Sequence, residues 1–401
     1  MRASEPHAAG RQPHGAAFAA CTGKARPKIL AARFMAVRIL IVSPLFPPGH
    51  GGLPDHTDLL AQELSRHTPV TVLTSPGREP RTAFAVRDTV ADWQDAAALR
   101  EAVEAAAPPE AALLWQYVPH MYGRGGVNFA VPRVIGALRA RGRRQVVIAH
   151  EIAAPFGWRP HHAWYALAHR LMWRGVRRHA EAVGISTEAW LPGAGDARFF
   201  LAPSPSNVPV LEVPADHRTT WRAGKRLPPA GVVLAYFGTL GADKQFDWVL
   251  AAWRAARRAE PETSLVVIGA GPEPAMDAAE RAHYRALGYQ AADEVSRALQ
   301  AADVLLLPFV DGASERRGSF MAGLAHGCAV LTTTGHSTGP ALRRAKFFAT
   351  TRADDLAAFG AAAAGLARDA ARRLELGAAA RAAYAETYDW PVLGRRLLQH
   401  A

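Results

Sequence analysis

Short continuous apolar runs alternate along the chain with stretches in which apolar residues recur every three or four positions. The run at 37–42 predicts a buried strand, a Pro/Gly loop from Ser43 to Gly52 follows, and a helix is predicted over about 55–66. Further strands are predicted at 70–73, 111–115, 146–149 and 182–186, with helical stretches between them. This β-α alternation points to a parallel sheet covered on both faces. A polar, Pro-rich segment at 202–229 interrupts the pattern and reads as a linker. The pattern then restarts, with strands at 232–237, 265–268, 304–307 and 329–332 and helices at 246–259, 293–300 and 320–326. A long Ala-rich helical region follows, and a final helix begins after Asp389-Trp390-Pro391. Two successive open α/β domains bind ligands beyond the carboxyl ends of their strands.

Length and composition agree with that division. The 401 residues suffice for two domains, and 49% hydrophobic with 20% charged residues is the balance of a globular protein. No apolar run reaches the roughly 20 residues that span a bilayer. Two cysteines, Cys21 and Cys328, exclude a disulfide framework and suit a reducing cytoplasm. Residues 1–34 carry six basic side chains against Glu5 alone and no apolar periodicity, so they read as a disordered extension or a misassigned start, with the fold beginning near Met35. The net charge of +12 suits anionic partners such as nucleoside diphosphates or phospholipid headgroups, although an Ala/Arg-rich composition also produces it. Nothing in the pattern points to nucleic acid.

Candidate chemistry gathers at strand ends. The Pro47–Gly52 loop offers close backbone approach at Gly51 and Gly52, at a helix N-terminus that favours anions. Its spacing is not Gly-x-Gly-x-x-Gly, which disfavours a nicotinamide enzyme. Lys244 ends the loop after the strand at 232–237, where it could neutralise a diphosphate, and Gly269 and Gly271 follow the next strand. The stretch Pro308 to Phe320 carries Asp311, Glu315, Arg316, Arg317, Gly318 and Ser319 just before a helix, an anion site with forked guanidinium donors. His150 stands at a strand's carboxyl end, placed for a sugar or an incoming hydroxyl or else for a structural bond. Tyr117, His120 and Tyr122 offer stacking and hydrogen-bonding groups, with core packing the alternative for Tyr117. His161-His162 is adjacent rather than helically spaced and reads as surface, and no convincing metal-ligand spacing occurs. Residues 169–178 mix four arginines with Leu171, Met172 and Trp173, either a solvated basic face or a helix lying on anionic lipid.

In order and spacing these motifs resemble the family 4 (group 1) glycosyltransferases of the GT-B fold, two Rossmann-like domains with parallel sheets facing across a cleft. The resemblance rests on Gly51-Gly52, His150-Glu151, Lys244, Val267 to Pro272, Ala302 to Pro308, Gly318 to Val330 and Tyr388-Asp389-Trp390. It implies residues 35–215 as an acceptor domain, 216–389 as a donor domain, and a C-terminal helix at 390–401 crossing back. It also implies retaining transfer from a nucleotide-sugar donor, without a cofactor or bound metal, to a glycan or lipid-linked acceptor. The catalytic candidates are then His150 and Glu315. Gly51, Gly52, Lys244, Gly269, Gly271, Arg316, Arg317, Gly318 and Ser319 fall to the donor, and Tyr117, His120, Tyr122 and Glu151 to the acceptor. The implied setting is the cytoplasm, with the inner face of the membrane as a further partner. Two departures stand out. The family's paired glutamates fall on Ser314 and Ala322, with Glu315 one place late, and its arginine before the lysine loop is Thr239. Side chains at adjacent positions diverge, so one arginine of the 316–317 pair is expected to supply the missing charge, with Glu315 orienting it or binding a sugar hydroxyl. A sugar-nucleotide epimerase and a catalytically silent partner in glycan assembly remain the alternatives.

Overall fold

The computed structural model describes residues 37–401 apart from His50, Ala194, 240–243 and 272–273. The extension expected at 1–34 and the start at Met35 lie outside the described residues. Two parallel sheets form the frame. The first has seven strands in the order β3-β2-β1-β4-β5-β6-β7 and the second six, β10-β9-β8-β11-β12-β13. In the first, β1 is Ile39–Val42, β2 Val70–Leu73, β3 Ala85–Arg87, β4 Ala112–Tyr117, β5 Gln145–Ala149, β6 Ala182–Ile185 and β7 Phe199–Leu201. In the second, β8 is Val233–Phe237, β9 Ser264–Ile268, β10 Tyr284–Gly288, β11 Val304–Leu307, β12 Ala329–Thr334 and β13 Ala349–Arg352.

The central strands read as unbroken apolar runs because helices cover both faces of each sheet. Leu40, Val42, Trp115 and Val147 face one core of the first sheet, with Val134, Leu138 and Val176 from its helices. Ile39, Ile41, Val72 and Ile148 face the other. The second sheet divides the same way, with Leu305 and Leu307 in one core and Leu234, Val304 and Leu306 in the other, as the two-residue strand period requires. Four strands escape the sequence pattern, β3, β7, β10 and β13, and all four are sheet edges. Alternate β3 and β13 residues meet solvent, so neither carries an apolar run.

The segment read as linker holds a helix, His217–Gly224. Trp221 packs in the core of the second sheet, and the Arg222 guanidinium donates to the Ala301 carbonyl at 2.7 Å and to Asp303 at 2.7 Å. Asp303 also accepts from the Val233 N–H at 2.7 Å, which fixes this helix to the start of β8. At the other end of the chain, the helix Trp390–His400 leaves the second sheet and seats Leu393, Leu397 and Leu398 against Ile41, Leu60 and Leu64 of the first. The N–H of Trp390 is capped by Asp389 at 2.8 Å.

Leu393 is fully buried in this seam. Leu393→Ala is expected to cost about 2–5 kcal/mol through lost transfer energy and the cavity left behind. Urea unfolding followed at the first domain's tryptophans checks it, and an unchanged midpoint would show that the returning helix does not hold the domain together.

Candidate functional site

Each sheet reverses its winding at one point, between β1 and β4 in the first and between β8 and β11 in the second. In doubly wound folds the crevice outside the carboxyl ends at that point receives the ligand. The loops after β8 and β11 carry the candidate donor residues, so topology brings Lys244 and the 316–317 pair to the same mouth.

Behind β8 the chain is tightly constrained. Gly238 and Gly269 both have φ of 142°, and a Cβ on Gly269 would collide with the Gly238 carbonyl oxygen. Only glycine permits that approach. A Cβ on Gly238 would stand 3.0 Å from the Lys244 Nζ, so the lysine folds back over Gly238. Gly271 is exposed a little further on. The 240–243 part of this loop, and Pro272, lie outside the described residues.

The loop after β11 is pinned from below. The Phe309 N–H donates to the Thr333 hydroxyl at 2.9 Å, and the Ala313 N–H to the Thr333 carbonyl at 2.8 Å. Above them Asp311 pairs with both arginines, Arg316 at 3.3 Å and Arg317 closer still. Burial pushes the Asp311 carboxyl up, but the Arg317 charge, hydrogen bonds from Ser337 and Arg317, and Arg316 together hold it below the usual carboxylate range. Arg317 lies over the Phe309 ring at 4.6 Å. Arg316 lies over Trp190 of the first domain at 5.0 Å and stands 3.9 Å from Glu151. Beyond them the helix Gly318–Ala325 starts without a side-chain cap and without an acidic first turn, so its leading N–H groups and positive dipole end are left to a ligand or water.

This geometry corrects the reading of Glu315 and of the arginine pair. Adjacent arginines were expected to diverge, yet both reach Asp311, because the turn closed by the Arg317 N–H on the Ser314 carbonyl at 3.1 Å swings Glu315 inward instead. Glu315 is fully buried, so it orients neither arginine and presents no oxygen to a sugar hydroxyl. It accepts from the Thr187 hydroxyl at 2.8 Å and the Glu188 N–H at 3.4 Å, both from the first domain, and burial raises its pKa. Ala322 is buried in the apolar core, so no polar group stands at that position either.

On the first-domain side, Gly51 and Gly52 border open space at the start of the helix Gly52–Ser65. Asp55 in its first turn accepts from Asn207 at 3.0 Å, and Asn207 lies beside Gly318 of the facing domain. His150 sits at the end of β5 with its Nε2 2.6 Å from the Gln116 Oε1 and its Nδ1 3.5 Å from the Ser204 hydroxyl. Burial pulls this imidazole down to about 4, so it is neutral near pH 7. The other end of the Gln116 amide stands 3.4 Å from His56 Nδ1, and the two imidazole rings meet edge to face at 4.5 Å. Burial, and then His150, hold His56 well below its ordinary value. His56 Nε2 is buried without a partner among the described residues.

Tyr117 and Tyr122 do not reach the cleft. Both are core residues, Tyr117 packed 5.4 Å from Trp173 and Tyr122 donating its hydroxyl to the Gln116 carbonyl. Successive strand residues point to opposite faces, which leaves Gln116, not Tyr117, on the His150 side. His120 is exposed, 4.9 Å from the His169 ring.

The family model of group 1 glycosyl transferases matches residues 231–369. Among solved structures, sucrose-phosphate synthase from Thermosynechococcus elongatus superposes with a TM-score of 0.66 at 16% identity, over 90% of this chain and 98% of that one. Anabaena HepE in complex with UDP-glucose gives 0.61 at 14%, over 90% and 98%. WaaG, a glycosyltransferase involved in lipopolysaccharide biosynthesis, gives 0.56 at 16%, again over 90% and 98%. The fold is GT-B, and the chain resembles the group 1 glycosyltransferases. No curated protein matches it significantly by sequence.

The group 1 match spans β8 to β13 and therefore Lys244, Gly269 and the 311–319 loop, while the first domain shares the GT-B fold alone. Sequence reasoning passed over His56, Gln116, Trp190 and Asn207. His56 follows the double glycine by one helical turn, and Gln116 is the single amide in an apolar strand, so both left a signal. Trp190 and Asn207 become visible only when the domains meet. Among the described residues no group of three or more His, Cys, Asp or Glu side chains could hold a metal.

The buried His56 and half-buried His150 imidazoles set a pH dependence. A lowered pKa means that His150 contributes stability present above its ordinary value of 6.5 and lost as pH falls toward about 4. The urea midpoint is therefore expected to drop over that interval, and less steeply in His150→Gln. Equal slopes in variant and parent would contradict the enclosed, neutral imidazole.

Proposed function

We propose that the protein transfers a sugar, with retention of configuration, from a nucleoside diphosphate donor to a glycan or lipid-linked acceptor at the cytoplasmic face of a membrane. What supports this reading is that the adjacent strands β8 and β11 are followed by the loops that carry Lys244 and the Arg316-Arg317 pair, with the uncapped helix Gly318–Ala325 just beyond. In the reaction the anomeric carbon exchanges its bond to a diphosphate oxygen for one to an acceptor hydroxyl oxygen. The acceptor proton leaves with the departing diphosphate or to solvent. Negative charge grows on the leaving group, and fixed cations and amides lower the barrier most where charge develops. Gly238, Gly269 and Gly271 give the nucleotide close backbone approach, and Ser319 adds a hydroxyl at the helix start.

His150 is neutral in this scheme, and acts as a hydrogen-bonding group toward the transferred sugar once Gln116 or Ser204 yields. Glu151, His120 and the Gly51-Gly52 loop border the acceptor side. The solved complex of HepE with UDP-glucose supports a nucleotide-sugar donor. Retention rests on the resemblance to group 1 enzymes. A catalytically silent partner is the second reading, favoured by the burial of Glu315 and by the buried alanine at position 322.

Incubation of the protein with a panel of labelled nucleotide sugars tests the first reading. Donor turnover, with or without added acceptor, is the expected result, and donor binding without any turnover would select the silent partner. Lys244→Ala is expected to weaken nucleoside diphosphate binding by about ten- to a hundredfold, the worth of one charge-assisted contact. Because both arginines reach Asp311, Arg316→Met and Arg317→Met are each expected to lower kcat/KM by at least about tenfold. Parent-like turnover in both would remove this loop from the site.

A further inference from the structure

We propose that the outer face of the helix Pro160–His179, with the loop before it, docks onto an anionic phospholipid bilayer. The proposal deepens the acceptor reading above, whose lipid-linked branch it serves. The helix is 20 residues long, and its inner face (Ala166, His169, Met172, Trp173 and Val176) is buried on the first domain. Met172 and Trp173, which in sequence suggested a lipid-facing aromatic, are thus structural. The outer face is what remains. Trp164, Leu167 and Leu171 recur at intervals of three and four, and each is about half exposed (54%, 46% and 48%). Phe156 and Trp158 extend this apolar strip from the preceding loop, and Trp158 is wholly exposed. A contiguous exposed apolar strip of this kind marks an interaction surface rather than ordinary solvent contact.

Charge selects the occupant. The same interval continues from Leu171 to Arg174 and Arg178, so the strip runs from aromatic to cationic along one face. No acidic residue occurs between Glu151 and Glu181. Arg170 lies over the Phe156 ring at 4.2 Å and carries its charge into the apolar part. At the basic end a surface cavity of about 460 Å³ is lined by Arg174, Arg177, Arg178, Asp196 and Arg198. Arg198 is taken up by Asp196 at 2.7 Å, whereas Arg174, Arg177 and Arg178 make no ion pair among the described residues. Three unpaired guanidiniums beside a half-exposed apolar face match a layer that offers phosphates above hydrocarbon. A protein partner of acidic character would satisfy the arginines but leave the tryptophan and leucine strip without a counterpart. No helix among the described residues is long and apolar enough to cross a membrane, so the contact is a surface one. The strip begins a few residues beyond Glu151, which puts a bilayer next to the acceptor side of the cleft.

Co-sedimentation of the full chain with vesicles of phosphatidylglycerol and phosphatidylcholine, compared with vesicles of phosphatidylcholine alone, reads the docking without any sugar donor. Binding to the anionic vesicles, weakened by added salt, is the expected result. Trp158→Ser with Trp164→Ser, and separately Arg174→Glu with Arg178→Glu, should each lower the partition by about tenfold or more. Thermal unfolding and nucleoside diphosphate affinity should stay as in the parent, since these side chains are exposed and lie outside the crevice. No binding to anionic vesicles, or binding that both double variants retain, overturns the proposal. A concentration-dependent dimer dissolved by the tryptophan changes, seen by analytical ultracentrifugation without vesicle binding, assigns the face to a second copy and overturns it too. Docking by a chain that turns over no nucleotide sugar would count against the transfer reading alone.

Discussion

The Glu315 carboxylate lies fully buried where loops of the two domains meet, and its hydrogen bonds run to Thr187 and Glu188 on the other side. A carboxylate taken out of water is costly unless its oxygens are satisfied, so this residue ties the loops after β6 and β11 to each other. One oxygen has two donors and the other has no partner among the described residues, which is why burial keeps the pKa raised. Its own carbonyl accepts from the Ser204 N–H at 3.0 Å, which holds the crossing chain in the same joint. Two residues on, Ser206 is clasped by the Tyr384 hydroxyl and the Trp390 indole, at 3.0 Å and 2.9 Å. The crevice inherits its shape from this joint. Arg316 reaches Trp190 and Glu151 only because the loop that carries it is anchored one residue earlier.

Seen from that joint, the cleft has unlike sides. The second domain supplies cations and an uncapped helix, held in place by Asp311 and Thr333. The first supplies a neutral polar cluster, His56, Gln116 and His150, whose side chains are engaged with one another. In the proposed reaction an anionic leaving group would meet the former, and the hydroxyl-bearing parts of donor and acceptor the latter, where a neutral imidazole can donate or accept without attracting a counter-ion.

The architecture was legible in the sequence because buried parallel strands advertise themselves as apolar runs, as in Ile39–Val42 and Val304–Leu307. Edge strands such as Ala85–Arg87 gave no such run, since only one face of an edge needs covering. The site was legible where backbone conformation dictates residue type, as at Gly238 and Gly269, and where charge sits on a loop before a helix. It was not legible where the answer depends on which way a side chain turns. Tyr117 and Gln116 are neighbours on one strand, and the strand period alone sends one to the core and the other to His150. Glu315 and Asp311 share one loop, and a single turn at Ser314 decides which of them meets the arginines.

Titration calorimetry of nucleoside diphosphates, each against its parent nucleoside, tests the account of the crevice most directly. If fixed charge and helix amides hold the diphosphate, one nucleoside diphosphate should bind at least about a hundredfold more tightly than its nucleoside, two charge-assisted contacts being worth that much. Equal affinity for both, or no heat with any diphosphate, would contradict it.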